Sequence, residues 1–365
     1  MLRKSLAQKS MIRMCCCMMD TRKKKILEAA ITHYIGTAEP VSSKVLSEKY
    51  RFDVRSATIR NELNDLEKEG YLSQLHASSG RIPTDKGYRL FVDQLKPGNL
   101  QGDQAKLMKQ TLQLAGYGVE QTLVQVSTVL SSLINYTTIV LTPNIYQETL
   151  KIAHLILVDL DRILVVLLNT AGINAEFFVH IQDRVDQEDL NRVSQLLTKK
   201  LGGKSMTSLT DEWWLSLMQE LPDLKGMLKN LGESIYQLVQ QQTKKDQFFT
   251  RGFSNMIQLP EFRNIELTQK VLTALEENKV LVAVLNEALR LPESKVSIGG
   301  EFFDHNLQEC GLVASSYKID DEPIGVIGVL GPKRMDYSVV VPMIQHVTKM
   351  VGDYLSSAHF KKRGG

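Results

Sequence analysis

The stretch Ser56-Ala57-Thr58-Ile59-Arg60-Asn61-Glu62-Leu63, continued by Leu66 and closed by Gly70, decides the reading of this chain. Ile59, Leu63 and Leu66 recur at i, i+4 and i+7, the spacing that gathers apolar side chains on one face of an α-helix, and Ser56 is a good N-cap. With that face turned inward, Ala57, Thr58, Arg60, Asn61 and Asn64 are left around the exposed sides. Arginine offers a bidentate fork to guanine, asparagine pairs with adenine, and threonine presents a methyl and a hydroxyl. On an isolated amphipathic helix an Arg-Asn pair signifies only solvation, so the flanking sequence has to separate the two readings.

Upstream, from Asp20, the residues Ile26, Leu27, Ala30, Ile31, Tyr34 and Ile35 predict a first helix with Gly36 as its stop. Thr37 to Pro40 form a loop, and Ser42 or Ser43 caps a short second helix holding Val45, Leu46 and Tyr50. Three short helices in this order suggest a helix-turn-helix. Downstream, residues 71–75 alternate like a strand, and His76 to Pro83 supply a small polar tip before the chain returns, which is the layout of a wing. Around Gly80, the residues His76, Ser78, Ser79, Arg81, Lys86 and Arg89 form a basic, hydroxyl-rich segment. It suits either tracking of phosphates with an arginine in the minor groove or a solvated hairpin. Lys23, Lys24 and Lys25 open the first helix against its dipole. Phosphate contact would offset that cost, and a solvated charge run fits equally.

Charge is distributed to match. The 365 residues carry a net +3. Residues 1–97 hold 18 Lys and Arg against 11 Asp and Glu, while the rest holds 26 against 30, so the basic end is the candidate nucleic-acid end. At 43% apolar and 23% charged the composition is that of a globular protein, and the length predicts two or three domains. The longest apolar run, 155–169, is broken by Asp159, Asp161 and Arg162, so it reads as two buried strands rather than a membrane span. The first nineteen residues lack the apolar core and cleavage site of a secretory signal, which predicts a cytoplasmic protein. Cys15, Cys16 and Cys17 are consecutive, a poor spacing for metal ligands or disulfides, and residues 1–19 read as a disordered leader or a mis-assigned start.

Pro97, Gly98 and Asn99 mark a boundary. Beyond it come an amphipathic helical stretch over about 100–135 and strands at 136–141, 153–159, 163–169 and 176–181. Helices follow at 187–200 and 211–242, then strands at 296–299, 311–317 and 324–330, and a closing helix over about 339–355. Strands, helices and strands again predict an α+β domain interrupted by a helix-rich insertion.

The run 56–63, with Leu66-Glu67, Gly70-Tyr71-Leu72 and His76-Ala77-Ser78-Ser79-Gly80-Arg81-Ile82-Pro83-Thr84-Asp85-Lys86-Gly87-Tyr88-Arg89, resembles the HrcA family of bacterial heat-inducible transcription repressors. Gly331-Pro332-Lys333-Arg334-Met335-Asp336-Tyr337 is similar to that family's closing signature, and the resemblance spans about residues 20–357. It implies an α+β multidomain protein: a winged helix-turn-helix, then a GAF-like domain interrupted by an inserted dimerising domain. The corresponding boundaries are 20–97 for the DNA-binding domain, 98–182 and 263–357 for the two parts of the GAF-like domain, 183–262 for the insert and 358–365 for a basic tail. The resemblance also implies a homodimer on the CIRCE inverted repeat upstream of chaperone operons, kept active by the chaperonin GroEL. By correspondence Thr58, Arg60 and Asn61 fall in the recognition helix, and Ser79, Gly80 and Arg81 in the wing. The expected DNA-binding set is Ser56, Thr58, Arg60, Asn61, Asn64, His76, Ser79, Gly80 and Arg81.

No catalytic, cofactor or metal site is expected. Gly202-Gly203-Lys204-Ser205 is close to a phosphate-binding loop, but the motif requires a glycine where Thr198 stands and a strand before it, not a helix. His305 and Cys310, near Asp304, lack a fourth ligand. Trp213, Trp214, Leu217 and Met218 concentrate apolar area as core or as interface. Two other readings remain open: a small-molecule-sensing winged-helix regulator, and a GAF-containing enzyme.

Overall fold

Asp20 starts the first helix, α1 (Thr21–Thr37), by accepting the Arg22 N–H at 3.4 Å. Gly36 does not end it. The helix continues until Ala38 turns left-handed at φ 57°, with its N–H donated to the Tyr34 carbonyl. A short α2 (Ser43–Lys49) is capped by the Ser42 hydroxyl, which accepts the Val45 N–H at 3.3 Å. The third helix, α3 (Ser56–Lys68), has Arg55 as its cap residue. Ser56 is therefore the first helical residue rather than the N-cap, and its hydroxyl lies 3.5 Å from that of Ser43.

Strands β1 (Leu72–Gln74) and β2 (Arg81–Pro83) pair antiparallel, and Val41 bridges Arg81 through two backbone hydrogen bonds of 2.8 Å. The chain then forms a helix that the sequence pattern does not reveal, α4 (Asp85–Asp93), capped by the Thr84 hydroxyl. Lys86 and Arg89 stand on this helix and not on the hairpin. The computed structural model describes residues 19–50, 52–74, 80–95, 102–114, 119–142, 149–169, 174–181, 183–242, 248–319 and 321–361.

Helices α5 (Gly102–Leu114) and α6 (Val119–Ile134) lead into β3 (Thr137–Leu141). The chain then leaves for β4 (Leu150–Asp159), β5 (Arg162–Asn169), β6 (Asn174–His180) and three helices, α7 (Gln187–Leu201), α8 (Asp211–Glu220) and α9 (Lys225–Gln242). It returns at β7 (Phe248–Arg251), which pairs with β3 so that Leu141 faces Phe248. Helices α10 (Ile265–Glu277) and α11 (Lys279–Leu289) follow, then β8 (Lys295–Ile298), β9 (Cys310–Ile319), β10 (Glu322–Pro332) and α12 (Tyr337–Lys361).

Strands 7, 3, 10, 9 and 8 form one antiparallel sheet in that order. Alternation along β9 sends Leu312 and Ala314 into a core with Val271, Leu281 and Leu285, and sends Val313 and Tyr317 into a core with Leu123, Val340 and Ile344. Helices therefore cover both faces. The chain is a mixed α+β protein.

The grouping of the middle strands differs from expectation. The sequence pattern groups strands 153–181 with the first part of the sheet domain, yet β4, β5 and β6 form a separate sheet whose buried residues share a core with α7, α8 and α9. Period-two alternation shows that a strand has a buried face but not which body covers it. Trp214, Leu217 and Leu231 lie in that core, with Trp213 packed edge-on to Trp214 at 4.9 Å.

The outer edge of β4 is closed by one face of α7. Thr198 accepts the Ala153 N–H at 3.1 Å, Ser194 accepts that of Leu155 at 2.9 Å, and Gln187 that of Leu157 at 2.9 Å. An open edge strand is a template for aggregation, and these side chains cover it. Replacing Ser194 by Ala together with Thr198 by Val is expected to cost about 1–3 kcal/mol for each backbone group left buried and unpaired. Urea denaturation checks this, and an unchanged midpoint would show that water reaches the edge.

Candidate nucleic-acid interface

Helix α3 divides its residues cleanly. Ile59, Leu63 and Leu66 are fully buried, Ser56, Ala57, Arg60 and Asn61 are exposed, and Thr58 and Asn64 are half-buried. Its carboxylates all lie in the second half and all are paired. Glu62, on the buried side, accepts from Arg22 Nε at 3.1 Å and Nη2 at 2.8 Å. Glu67 meets Arg81 at 2.9 Å, Glu69 meets Lys23 at 2.8 Å, and Asp65 meets Lys68 at 3.7 Å. The first turn holds no acid, so the positive end of the helix dipole and the Arg60 guanidinium act together. Arg60 has no hydrogen bond or ion pair to another described residue. Exposed Arg55 extends the positive surface, whereas exposed Lys44 lies 4.0 Å from Glu48. This is the charge pattern that attracts a polyanion and leaves an arginine and an asparagine available to base edges.

Other expected site residues are occupied within the protein. The Arg81 side chain is 12% exposed and held by Glu67 and by the Asn64 side-chain oxygen, so Arg81 and Asn64 fasten the wing to α3 rather than project from it. At Gly80 a Cβ would lie 2.6 Å from the Pro40 carbonyl carbon. The glycine is required by close approach of the wing to the 38–41 loop. His76 and Ser79 lie outside the described residues. Lys86 donates to the Glu69 carbonyl at 2.8 Å and stands 4.3 Å from the centre of the Tyr71 ring. Of the three lysines opening α1, Lys23 is bound to Glu69, whose hydrogen bond raises the ammonium pKa against some desolvation. That ion pair offsets the dipole cost at Lys23.

The pair of buried Glu62 with exposed Arg22 was not anticipated, although its signal was present: Glu62 falls three residues after Ile59 and beside Leu63, on the apolar side. A charge there demands a partner.

Arg89, expected on the wing, instead forks onto Glu301, donates to the Val296 carbonyl at 2.8 Å and lies 3.5 Å from Asp93. Burial works against its charge, and the Glu301 hydrogen bond and both carboxylates outweigh it, so the guanidinium pKa is raised. Asp85 accepts the Gly300 N–H at 2.8 Å and pairs with Lys333 at 3.2 Å. Arg334 donates to the Ile35 carbonyl at 2.9 Å and pairs with Glu261. Tyr88 faces Tyr337 with ring centres 6.2 Å apart, both rings buried.

The remaining candidate sites resolve as structure. Gly202 ends α7 and Ser205 bridges Thr149, so the glycine-lysine segment follows a helix, the reverse of the strand-then-helix order of a phosphate loop. Cys310 is buried in β9, its thiol pushed up to about 12 by burial, and His305 Nδ1 hydrogen-bonds Gln308 at 2.9 Å. Among the described residues no three His, Cys, Asp or Glu side chains are grouped to hold a metal, and no helix is long and apolar enough to cross a membrane. A surface cleft of about 250 Å³ lies between Asn264, Lys270, His305 and Glu309.

Residues 120–341 match the family described as HrcA protein C terminal domain. A protein of Pelotomaculum thermopropionicum named heat-inducible transcription repressor HrcA is 33% identical over 341 residues, covering 92% of this chain and 97% of its own length. Its namesake in Alkaliphilus metalliredigens is 36% identical over 345 residues, covering 93% and 99%. Among solved structures, the crystal structure of a hypothetical protein has the same fold, with a TM-score of 0.63 at 21% identity over 93% of this chain and 99% of that one.

Proposed function

Because the chain belongs to the HrcA family of heat-inducible transcription repressors, we propose that it binds the CIRCE inverted repeat of chaperone operons as a homodimer, with α3 in the major groove. The observation that carries this reading is the acid-free first half of α3, where exposed Arg60 and Asn61 stand in the second turn, next to the positive helix end. In this reading α1 to α4 with β1 and β2 are a winged helix, the five-stranded sheet with its helices is the GAF-like domain, and β4 to α9 are the inserted dimerising unit. Thr58, Arg60 and Asn61 contact bases. Ser56, at the helix start, and the tip residues His76 and Ser79 contact the backbone. Asn64, Gly80 and Arg81 support them by holding the wing.

Such a protein is cytoplasmic and not an enzyme. A ligand-sensing regulator is the second reading, and thermal-shift screening with metabolites separates the two, since a specific ligand would raise the melting temperature.

An inverted repeat requires a two-fold protein. The dimer contact is assigned to the outer face of β4–β6 rather than to the tryptophans, which serve the core. There Ile156, Leu164 and Phe178 stand in one row across the three strands, with Ile156 45% and Phe178 60% exposed. GroEL, in this reading, keeps the repressor folded. The excursion from β3 to β7 makes many contacts distant in sequence, and such chains fold slowly with apolar surface exposed. Heat-unfolded proteins then compete for the chaperonin and release the operon.

Arg60→Ala is expected to lose about 1–3 kcal/mol on the specific site with weak non-specific binding unchanged. Arg81→Ala should instead lower the melting temperature. Equal losses on both DNAs in a titration would reduce Arg60 to a phosphate contact. Ile156→Lys with Phe178→Glu should give a folded monomer with weakened operator binding, and sedimentation showing a dimer at low micromolar concentration would move the interface elsewhere. Chaperonin with ATP should raise the operator-competent fraction in stoichiometric titration, and an unfolded competitor should reverse the gain. A fraction near one without chaperonin, unchanged by mild heating, would disprove the coupling.

A further inference from the structure

Two segments far apart in sequence, 84–89 and 331–337, meet on the same surface. From α4 come Asp85, Tyr88 and Arg89, and from the sheet side come Glu301, Lys333 and Tyr337. We propose that this contact positions the DNA-binding unit, making Asp85, Arg89, Glu301 and Lys333 the residues through which the protein discriminates the distance between two operator half-sites. The inference rests on the reading of the chain as a dimeric DNA-binding protein.

A head not held against the rest of the chain would accept many separations, because each head could then find its half-site independently. The contact removes that freedom. Its centre is apolar, with the two tyrosine rings buried, and its rim is ionic, with Arg89 forked onto Glu301 and Lys333 set between Asp85 and Glu309 at 3.2 Å from each. Bidentate arginine pairs fix orientation as well as distance. One glycine allows the close fit: a Cβ at Gly299, where φ is +51°, would lie 2.3 Å from the Asp85 carboxylate. Arg334 adds a second point of attachment, at the last turn of α1 through the Ile35 carbonyl. The α1–α4 unit is thus held at both α1 and α4, on a body that also carries the excursion to which the dimer contact is assigned. Recognition-helix separation is then a property of the whole dimer.

The test uses full-length protein and four DNAs: an isolated half-site, the inverted repeat of its own chaperone promoter, and that repeat with the spacer lengthened by two or by five base pairs. Wild-type protein should bind the lengthened repeats about tenfold or more weakly than the native one. Asp85→Asn with Glu301→Gln should narrow that preference to about threefold or less, with half-site affinity within about twofold of wild type. Glu301→Gln alone should fall between, and its half-site affinity reports that the head is folded. A double variant that retains the full spacer preference overturns the inference, as does a uniform loss on all four DNAs. Wild-type protein that binds neither half-site nor repeat overturns the functional reading and this inference together. Wild-type binding without spacer preference overturns this inference alone.

Discussion

Helix α4 is packed from two sides, and the architecture turns on that. Tyr88 is 2% exposed and belongs to the same continuous core as Ile26, Ile59 and Leu63 on one side and Val313, Tyr337 and Ile344 on the other. The side chain thus spans what the sequence divides into two domains. Burial pushes the hydroxyls of Tyr88 and Tyr337 far above the ordinary tyrosine range, so both stay neutral. Tyr337 donates to the Lys333 carbonyl at 2.9 Å, whereas the Tyr88 hydroxyl has no partner among the described residues, a cost of about 1–3 kcal/mol that the ring's packing has to exceed. Separating the two units would expose both rings and strip Arg89 of Glu301. A paired charge in a partly buried site is hard to uncouple, since breaking it leaves the partner without compensation.

Charge sorting on α3 depends on the same body. Each carboxylate in its second half is matched by a cation from α1, from β2 or from its own last turn, and the matches tie α3 to its neighbours. Among the described residues, what is left unmatched is Arg60 and the positive helix end, both exposed. The electrostatics of the exposed face is thus a remainder, determined by which charges the fold consumes. That explains why Arg81, equally basic, is not equivalent to Arg60: it is bound by Glu67 and Asn64.

Local signals in the sequence were strong where one helix or strand has to bury its own face. Ile59, Leu63 and Leu66, the three short helices, strands β3, β8, β9 and β10 and the closing helix were legible from period and capping, whereas the edge strand β7 and helices α10 and α11 were not. Gly36 misled because one glycine weakens a helix without ending it when the next turn still closes its hydrogen bonds. Ser56 misled because the capping position fell one residue earlier. The larger errors concern contacts between elements. Nothing in the pattern of 150–181 distinguishes packing against the large sheet from packing against α7–α9, and nothing around Arg81 or Arg89 in the sequence reveals that a carboxylate of another segment binds it. Those partners are 14 and 212 residues away, beyond the reach of any periodicity.

The pairing of Leu141 with Phe248 makes everything from β4 to α9 one oversized hairpin between neighbouring strands. Closing a loop costs entropy that grows only logarithmically, about 0.6 kcal/mol for each doubling of length. The five-stranded sheet is therefore nearly indifferent to how much chain its hairpin holds, provided the hairpin supplies its own core, which residues 150–235 do. On that arithmetic, doubling or halving the excursion shifts the cost of closing the β3–β7 pair by only about 0.6 kcal/mol. The sheet and its hairpin are thus two cores on one polypeptide, each able to change its surface without repacking the other.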